Sequence, residues 1–326
     1  MKFFTTIARI VALGLSLGAA GAGFAQENFP SRPVRYIVPY PPGGSTDPVA
    51  RFMAAKLTEQ WGQSVVVQNI PGGATVIGMS ALARATPDGY TIGWAGAGFF
   101  SSYSLIRKLP YDALKDFMGV ATLSTGRNIL VLHPSVPANS LKDFIAFAKS
   151  KPGELNFATS GYGTNTHLSA ELFMMETGVK LTHVAYKGSG PATTDLLGGR
   201  VQLSFQVPIT VLPMIKGGKV KPIAISGEGR LPMLPDVPTY AELGLPGIGL
   251  TSVTALVAPA KTPRNIVTKI SNDVAAILKM PATQEFFTTS GAEPFISTAQ
   301  EADKVIKAEI ARYAKIIKAA DIKPQH

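Results

Sequence analysis

The sequence predicts an α/β protein with two lobes, each built on a mainly parallel sheet flanked by helices. Short β-branched or apolar runs are followed by Gly-rich turns and then by stretches with helical periodicity, which is the pattern of parallel sheets covered by helices. This pattern restarts near Leu123. The 326 residues, 46% of them apolar and 16% charged, suffice for two globular domains.

Composition excludes several classes of protein. There is no cysteine, which rules out disulfides, thiolate metal sites and cysteine nucleophiles. The net charge of +10 is spread along the chain without a long Lys/Arg run, and no nucleic-acid-binding motif is visible. A diffuse positive field suits anionic small molecules at least as well as nucleic acid, so we expect no nucleic-acid partner.

The N-terminus has the features of a secretory signal peptide. Lys2 and Arg9 precede an apolar stretch at residues 10–22, and small residues at positions 23 and 25 suit a cleavage site after Ala25. The alternative is an uncleaved anchor, for which the stretch is short. We expect residues 1–25 to be removed and the mature protein to be exported and soluble.

The first strand and the loop after it are the centre of the prediction. A β-type run at residues 34–38 ends in a Pro-rich and Gly-rich turn, and a helical pattern continues to Gly62. Ser45, Thr46 and Asp47 are good N-cap residues. Unpaired amides and the positive dipole end at a helix start favour a carboxylate or phosphate. The alternatives are a plain tight connection for the loop and, for Asp47, helix capping instead of contact with a cationic ligand group.

The elements up to the restart repeat this unit. The next strand is predicted at residues 64–69, a small-residue helix at 76–85 and a further strand at 90–95. In such sheets ligands bind at the carboxyl ends of the strands.

The second unit mirrors the first. Its predicted strands are at residues 129–132, 156–159, 182–186, 201–207 and 222–226, and its helices at 141–149, 168–177 and about 191–197. The loop at residues 160–167 is rich in Gly and hydroxyl side chains and leads into a helix, like the opening loop. An apolar strand at 252–258 and helices at 263–279 and 298–319 complete the chain.

A search for catalytic or cofactor motifs finds none. There is no complete Gly-x-Gly-x-x-Gly, no Walker loop and no His-Glu-x-x-His, so we expect neither cofactor nor metal. His167 is the one histidine beside a candidate loop, and the favoured role is structural or a hydrogen bond to backbone. An exported hydrolase with Ser160 or Ser189 as nucleophile stays an alternative, although no base and orienting acid are recognisable.

Motifs along the mature chain resemble those of the tripartite tricarboxylate transporter receptors, also called Bug receptors. The motifs occur in family order: Arg32-Pro33-Val34-Arg35, Val38-Pro39-Tyr40-Pro41-Pro42-Gly43-Gly44-Ser45-Thr46-Asp47, Pro87-Asp88-Gly89-Tyr90-Thr91, Lys108-Leu109-Pro110-Tyr111-Asp112, Ser160-Gly161-Tyr162-Gly163-Thr164 with His167-Leu168, Tyr186-Lys187-Gly188, Asp195-Leu196-Leu197-Gly198-Gly199, Leu234-Pro235-Asp236-Val237-Pro238-Thr239 and Ala258-Pro259. Each motif alone is weak, and together they identify the family.

The resemblance implies a type II periplasmic binding protein that closes on a carboxylated solute like a flytrap. Lobe 1 is expected at residues 27–124 and 251–326, and lobe 2 at 125–250. By resemblance, one carboxylate end is held by Gly44, Ser45 and Thr46. The other end is held from lobe 2 by Thr159, Ser160, Gly161, Gly163 and Thr164. The remaining predicted ligand-binding residues are Tyr40, Gly43, Asp47, Phe99, Phe100, His167, Lys187 and Gln206.

Two departures from the family pattern bear on specificity. The family often has His-Ala-x-Asn-Pro after the third strand, where this chain has Phe99-Phe100-Ser101-Ser102-Tyr103, and Gln206 stands where Asp or Asn is frequent. One hypothesis is an aromatic or apolar-bodied carboxylate stacked near Phe99 or Phe100. The alternative is that both phenylalanines pack in the core.

The sequence thus predicts a monomeric receptor that binds a small carboxylate, aromatic or dicarboxylic, without catalysis. Its expected partners are the membrane subunits of a secondary transporter of the tripartite tricarboxylate type. The alternative within the same fold is a carboxylate sensor that docks on a membrane signalling protein.

Overall fold

The structure is a computed structural model that describes residues 29–324. The predicted signal peptide at residues 1–25 lies outside the described residues. In the described part, no helix is both long and apolar enough to span a membrane.

The described chain contains eleven strands and ten α-helices. The strands are β1 Val34–Val38, β2 Val65–Asn69, β3 Thr91–Ala95, β4 Phe117–Gly126, β5 Ile129–Leu132, β6 Asn156–Thr159, β7 Thr182–Ala185, β8 Leu203–Gln206, β9 Lys221–Ile225, β10 Ser252–Pro259 and β11 Ala292–Pro294. The helices are α1 Thr46–Trp61, α2 Val76–Ala83, α3 Ala97–Leu105, α4 Leu141–Ser150, α5 Asn165–Thr177, α6 Ser189–Leu197, α7 Pro208–Lys216, α8 Arg264–Leu278, α9 Pro281–Thr289 and α10 Ala299–Ala319.

Two separate sheets confirm the predicted two-lobed α/β architecture. The first sheet has the strand order β11-β4-β10-β3-β1-β2, and the second has β7-β6-β8-β5-β9. Without the edge strand β11, both sheets have the same arrangement. In each, the first strand of a βαβ unit lies between the second and the third, and an inserted strand separates the third from the fourth.

The inserted strands make both sheets mixed. β10 pairs antiparallel with β3 and β4, and β5 pairs antiparallel with β8 and β9, whereas β1–β2, β1–β3, β6–β7 and β6–β8 are parallel. Four strands of each sheet still share one direction. Hydrophobic periodicity reports burial and not strand direction, so the sequence did not reveal the inverted strands.

Helices cover both faces of each sheet. In β1, the side chains of Val34, Tyr36 and Val38 pack on one face with α1 and α8, and Ile37 packs on the other with α2, α3 and α10. Burial on both faces explains why four of the five residues of this strand are apolar, with the exposed Arg35 as the exception. A second pair of clusters covers the two faces of the second sheet.

The chain crosses between the sheets twice. β4 leaves the first sheet at Gly126 and β5 begins the second sheet at Ile129, and β10 returns to the first sheet at Ser252. β4 therefore extends two residues past the expected lobe boundary at 124. We propose that lobe 1 comprises the elements of the first sheet, lobe 2 those of the second, and that residues 127–128 and 249–251 are the crossing segments.

Candidate ligand-binding cavity between the lobes

A cavity of about 130 Å³ lies between the lobes and is lined by residues of both. Lobe 1 contributes the loop after β1, together with parts of β3, β4 and β10. Lobe 2 contributes the loop after β6 and the segments that enter α6 and α7. The cavity therefore lies where the carboxyl ends of parallel strands face each other, as expected for this fold.

The N-termini of five helices meet at this cavity. The lining includes Ser45 and Thr46 at α1, Gly96 and Ala97 at α3, Thr164, Asn165 and Thr166 at α5, Gly188 and Ser189 at α6, and Val207, Pro208 and Ile209 at α7. The first amides of a helix have no partner within that helix, and its dipole is positive at this end. Five such ends create a site for negative charge.

At none of these five N-termini does the side chain of the N-cap residue cap the helix. The N-cap residues Ser45, Gly96, Thr164, Gly188 and Val207 make no side-chain capping bond. By contrast, Ser140 and Thr298 cap the surface helices α4 and α10 by accepting from the amides of Asp143 and Glu301. The lining contains no Asp, Glu, Lys or Arg from the described part of the chain. Amides, hydroxyls and the indole N–H of Trp94 are therefore the donors available to an anion.

Hydrogen bonds to the Asp47 side chain fix the shape of the loop after β1. Its carboxylate accepts hydrogen bonds from the amide of Gly43 at 3.2 Å, from Arg51 Nε at 2.9 Å and from Asn69 Nδ2 at 3.1 Å. Burial alone would raise the pKa of Asp47, but these bonds from Arg51, Gly43 and Asn69 outweigh it and lower the pKa below its usual value. Asp47 is 7% exposed and does not line the cavity, so its role is to hold the loop.

Internal hydrogen bonds shape the loop of lobe 2. Thr164 Oγ1 donates to the carbonyl of Gly161 at 2.6 Å, and Thr166 Oγ1 accepts from the amide of Ser160 at 2.9 Å. The amide of Gly163 donates to His167 Nδ1 at 3.2 Å. His167 therefore bonds to backbone, which was the role favoured for it.

A stack of aromatic rings lies under the same loop. The rings of His167 and His183 are 4.2 Å apart, and Phe157 and Tyr162 lie on either side of this pair. Thr159 Oγ1 is 2.7 Å from His183 Nε2, which ties the end of β6 to the stack. Burial, and secondarily the neighbouring His167, lowers the pKa of His183 to about 3, so His183 is neutral near pH 7.

Six of the predicted site residues line the cavity: Tyr40, Gly44, Ser45, Thr46, Ser160 and Thr164. Six others support the loops that line the cavity but do not line the cavity themselves: Gly43, Asp47, Thr159, Gly161, Gly163 and His167.

The prediction of an aromatic contact from Phe99 or Phe100 is wrong. Both side chains are at most 1% exposed and pack in the core with Phe117 and Tyr313. They lie in α3, where only the N-terminal residues reach the cavity. The aromatic residues that do line it are Tyr40 and Trp94.

Two further predicted contacts are also absent from the lining. Gln206 is fully buried, donates to Ser204 Oγ at 2.9 Å and accepts from Thr210 Oγ1 at 3.3 Å. Lys187 is exposed on the surface beside the loop. In both cases the next residue along the chain, Val207 or Gly188, reaches the cavity instead.

Sequence reasoning missed the lining residues at three of the five helix starts. Gly188 and Ser189 lie in a predicted turn before a helix, so the signal used for the first loop was present there as well. Gly96 and Val207 precede helices that were not predicted. Trp94, Ser124 and Thr254 come from strand ends in lobe 1 and carried no local signal.

The two lobes touch each other through residues that line the cavity. Ser45 Oγ in lobe 1 lies 3.2 Å from Ser189 Oγ in lobe 2. A Cβ built on Gly291 would lie 2.3 Å from Cβ of Pro208 in the opposite lobe, and one on Gly188 would lie 3.0 Å from Cγ of Pro41. The described conformation is therefore a closed one, and glycine allows the close approach.

The serines considered as nucleophiles have only hydroxyl partners in their side-chain hydrogen bonds within residues 29–324. Ser160 Oγ pairs with Thr166 Oγ1 at 3.1 Å, and Ser189 Oγ pairs with Ser45. A serine nucleophile needs a base within hydrogen-bond reach. The geometry thus gives no support to the hydrolase alternative. Within the same residues, no cluster of metal-ligating side chains is found.

Two lobes closed over a cavity lined by polar donors are the features of a solute-binding protein. The chain belongs to the tripartite tricarboxylate transporter receptor family, because the sequence model of that family matches residues 49–322. It is 37% identical over 313 residues to Protein BugT of Bordetella pertussis, covering 95% of this chain and 96% of that one. The family assignment made from motifs is therefore confirmed.

Solved structures show the same fold. A Rhodopseudomonas palustris protein, Rpa4515 with adipate, matches with a TM-score of 0.88 and 38% identity over 91% of this chain and all of that one. MatC of the same organism with bound malate matches with a TM-score of 0.82 and 31% identity over 89% of this chain and all of that one. These likenesses confirm the two-lobed type II binding-protein fold.

Proposed function

We propose that this chain is a periplasmic receptor that binds an aliphatic dicarboxylate between its lobes and delivers it, unchanged, to the membrane subunits of a tripartite tricarboxylate-type transporter. The observation that carries the proposal is the convergence of five uncapped helix N-termini on a cavity that no charged side chain of residues 29–324 lines. Several amides that share one anion replace a charged clamp.

Helix starts from both lobes support a solute with two anionic ends. α1 and α3 begin in lobe 1, and α5, α6 and α7 begin in lobe 2. A dicarboxylate contacts both sets only when the lobes are closed, so binding stabilises the closed state relative to the open one. Adipate and malate, the solutes named for two structural relatives, are both aliphatic dicarboxylates.

The packing of Phe99 and Phe100 in the core removes the main argument for an aromatic ligand. Val49, Val253 and Ala292 also line the cavity, and their apolar side chains suit a short aliphatic chain. The family description names a transporter and supports that role over the sensor alternative.

A thermal-shift series on residues 26–326 tests the proposal. Saturated dicarboxylates of increasing length, malate, monocarboxylates of matched length and benzoate are compared at equal concentration. A ligand present at about 100 times its Kd stabilises the folded state by about 2.7 kcal/mol, which raises Tm by several degrees. We expect this rise with dicarboxylates and a much smaller one with the matched monocarboxylates. Equal rises for both, or no rise with any carboxylate, would overturn the proposal.

A further inference from the structure

Asn165 contains a buried amide nitrogen, Nδ2, that has no hydrogen-bond partner among residues 29–324. Asn165 is 6% exposed, is the first residue of α5 and lines the cavity between the lobes. Nine side-chain polar atoms of the described part are buried in this unpaired way, and only that of Asn165 belongs to a residue of the cavity lining. A buried donor without an acceptor destabilises the protein until something supplies the acceptor.

The carbonyl oxygen of the Asn165 side chain, Oδ1, is bonded to a residue of the opposite lobe. Tyr313 Oη in α10 donates to Asn165 Oδ1 at 3.5 Å. Tyr313 is fully buried, and burial, with a further contribution from Glu309, raises the pKa of its hydroxyl well above the usual value. The hydroxyl therefore stays protonated and remains a donor. Because Oδ1 accepts from Tyr313, the free group of the amide is Nδ2.

The surroundings of Asn165 favour an anionic acceptor. The residue lies at the N-terminus of α5, where the helix dipole is positive and the N-cap Thr164 makes no capping bond. No charged side chain of the described residues lines the cavity, so the lining offers no carboxylate to pair with Nδ2. In the described conformation Nδ2 has almost no accessible surface, so a carboxylate of the solute reaches it after a shift of the Asn165 side chain towards the cavity. The carboxylate would then satisfy Nδ2 and the amides at the start of α5 together.

We infer that Asn165 Nδ2 donates a hydrogen bond to a carboxylate of the bound solute, an inference that rests on the proposed function. Tyr313 positions the amide for this bond only when the lobes are closed, since Asn165 belongs to lobe 2 and Tyr313 to lobe 1. Asn165 thereby links recognition of the carboxylate to closure.

Titration calorimetry with adipate and malate on the wild type, N165L and N165D tests the inference. Leu has the shape of Asn without its polar atoms, so N165L loses the bond to the carboxylate and we expect Kd to rise about 10- to 100-fold. N165D places a carboxylate opposite the solute carboxylate, and its Kd should rise further than that of N165L.

The melting temperature without ligand separates recognition from a structural role. N165L removes an unpaired buried donor but also the acceptor of the 3.5 Å bond from Tyr313, and the two effects oppose each other, so its ligand-free Tm should stay close to that of the wild type. S271A is the matched control, because Ser271 Oγ is also buried and unpaired but lies in α8, outside the lining. We expect S271A to keep the wild-type Kd.

Three outcomes would overturn the inference. The first is a Kd for N165L within twofold of the wild type. The second is weak binding together with a lowered ligand-free Tm, which would make Asn165 a structural residue. The third is a wild type that binds neither solute nor any other carboxylate, which would overturn the proposed function as well. The first two leave the proposed function intact, so the two failures are distinguishable.

Discussion

At the scale of single residues, the side chains that shape the site differ from those that line it. Asp47 and His167 were predicted as ligand-binding residues because they sit in or beside Gly-rich loops. In the structure each accepts a hydrogen bond from a loop amide, that of Gly43 or Gly163, and neither reaches the cavity. Their position in a motif predicted that these residues matter. Only the direction of the side chain shows whether a residue contacts the ligand or supports the loop.

Replacing Asp47 should weaken binding without altering the lining. D47A removes the acceptor for the Gly43 amide and for Asn69, so the loop before α1 loses its fixed shape. We expect Kd for adipate to rise about tenfold, the cost of leaving these partly buried donors unpaired. Titration calorimetry with adipate measures this change in Kd.

R51A is the control for the ion pair. Arg51 is 54% exposed, and exposed ion pairs contribute at most about 1 kcal/mol. We expect R51A to change Kd less than twofold. An R51A effect as large as that of D47A would show that the ion pair, and not the loop bond, matters.

His167 offers a test of the second loop by conservative replacement. An Asn side chain can place its Oδ1 near the position of Nδ1 and keep the acceptor for the Gly163 amide, whereas Leu cannot. H167N should retain a Kd within about threefold of the wild type, and H167L should lose about tenfold. Equal losses in both variants would contradict the role assigned to Nδ1.

At the scale of elements, the sequence predicted the helix starts that matter most. The first loop was predicted from Pro, Gly and N-cap residues at the end of β1, and the same composition at residues 160–167 predicted the second. The helices α3 and α7 were missed. α3 buries serines as well as phenylalanines, so its sequence shows no amphipathic period, and Pro213 lies inside α7.

The stack between β6, β7 and α5 makes folding stability dependent on pH. The folded-state pKa of His183 is lowered to about 3, mainly by burial, against about 6.5 in the unfolded chain. The folded state therefore binds fewer protons. The stabilisation is complete above about pH 6.5 and is lost as the pH falls towards 3.

Urea unfolding at pH 7 and pH 5 measures this effect. We expect His183 to lower the free energy of unfolding by up to about 2 kcal/mol over that interval. The titratable and polar groups facing it are His167, Thr159 and, through His167, Glu171. H183F keeps an aromatic ring in the stack and should flatten the pH dependence. A slope unchanged in H183F would contradict the assignment.

At the scale of the whole molecule, the sequence predicted two lobes because the strand, turn and helix pattern occurs twice. It did not predict the inverted strands β5 and β10 or their position inside each sheet. Direction and neighbours depend on contacts between distant segments, such as Val253 beside Thr125. The same limit applies to the cavity lining, since Ser45 and Ser189 meet only after both lobes have folded and closed.

Closure itself can be tested with a glycine pair. G291A adds a Cβ at 2.3 Å from Cβ of Pro208 across the lobes and at a φ of +71°, so the closed state should be blocked. G218A has a similar φ of +64° with no atom within 4 Å, so it carries the backbone strain alone. We expect G291A to lose at least tenfold in affinity for adipate, and G218A to bind like the wild type after a similar loss of Tm. Equal affinity in the two variants would show that this contact does not limit closure.

A crystal structure of the mature protein with adipate tests the central claim most directly. The account predicts a dicarboxylate enclosed between the lobes, with one carboxylate within hydrogen-bond distance of amides at the start of α1 and the other at the start of α5 or α6. Adipate bound outside the cavity, or held there by a charged side chain in place of these amides, would contradict it.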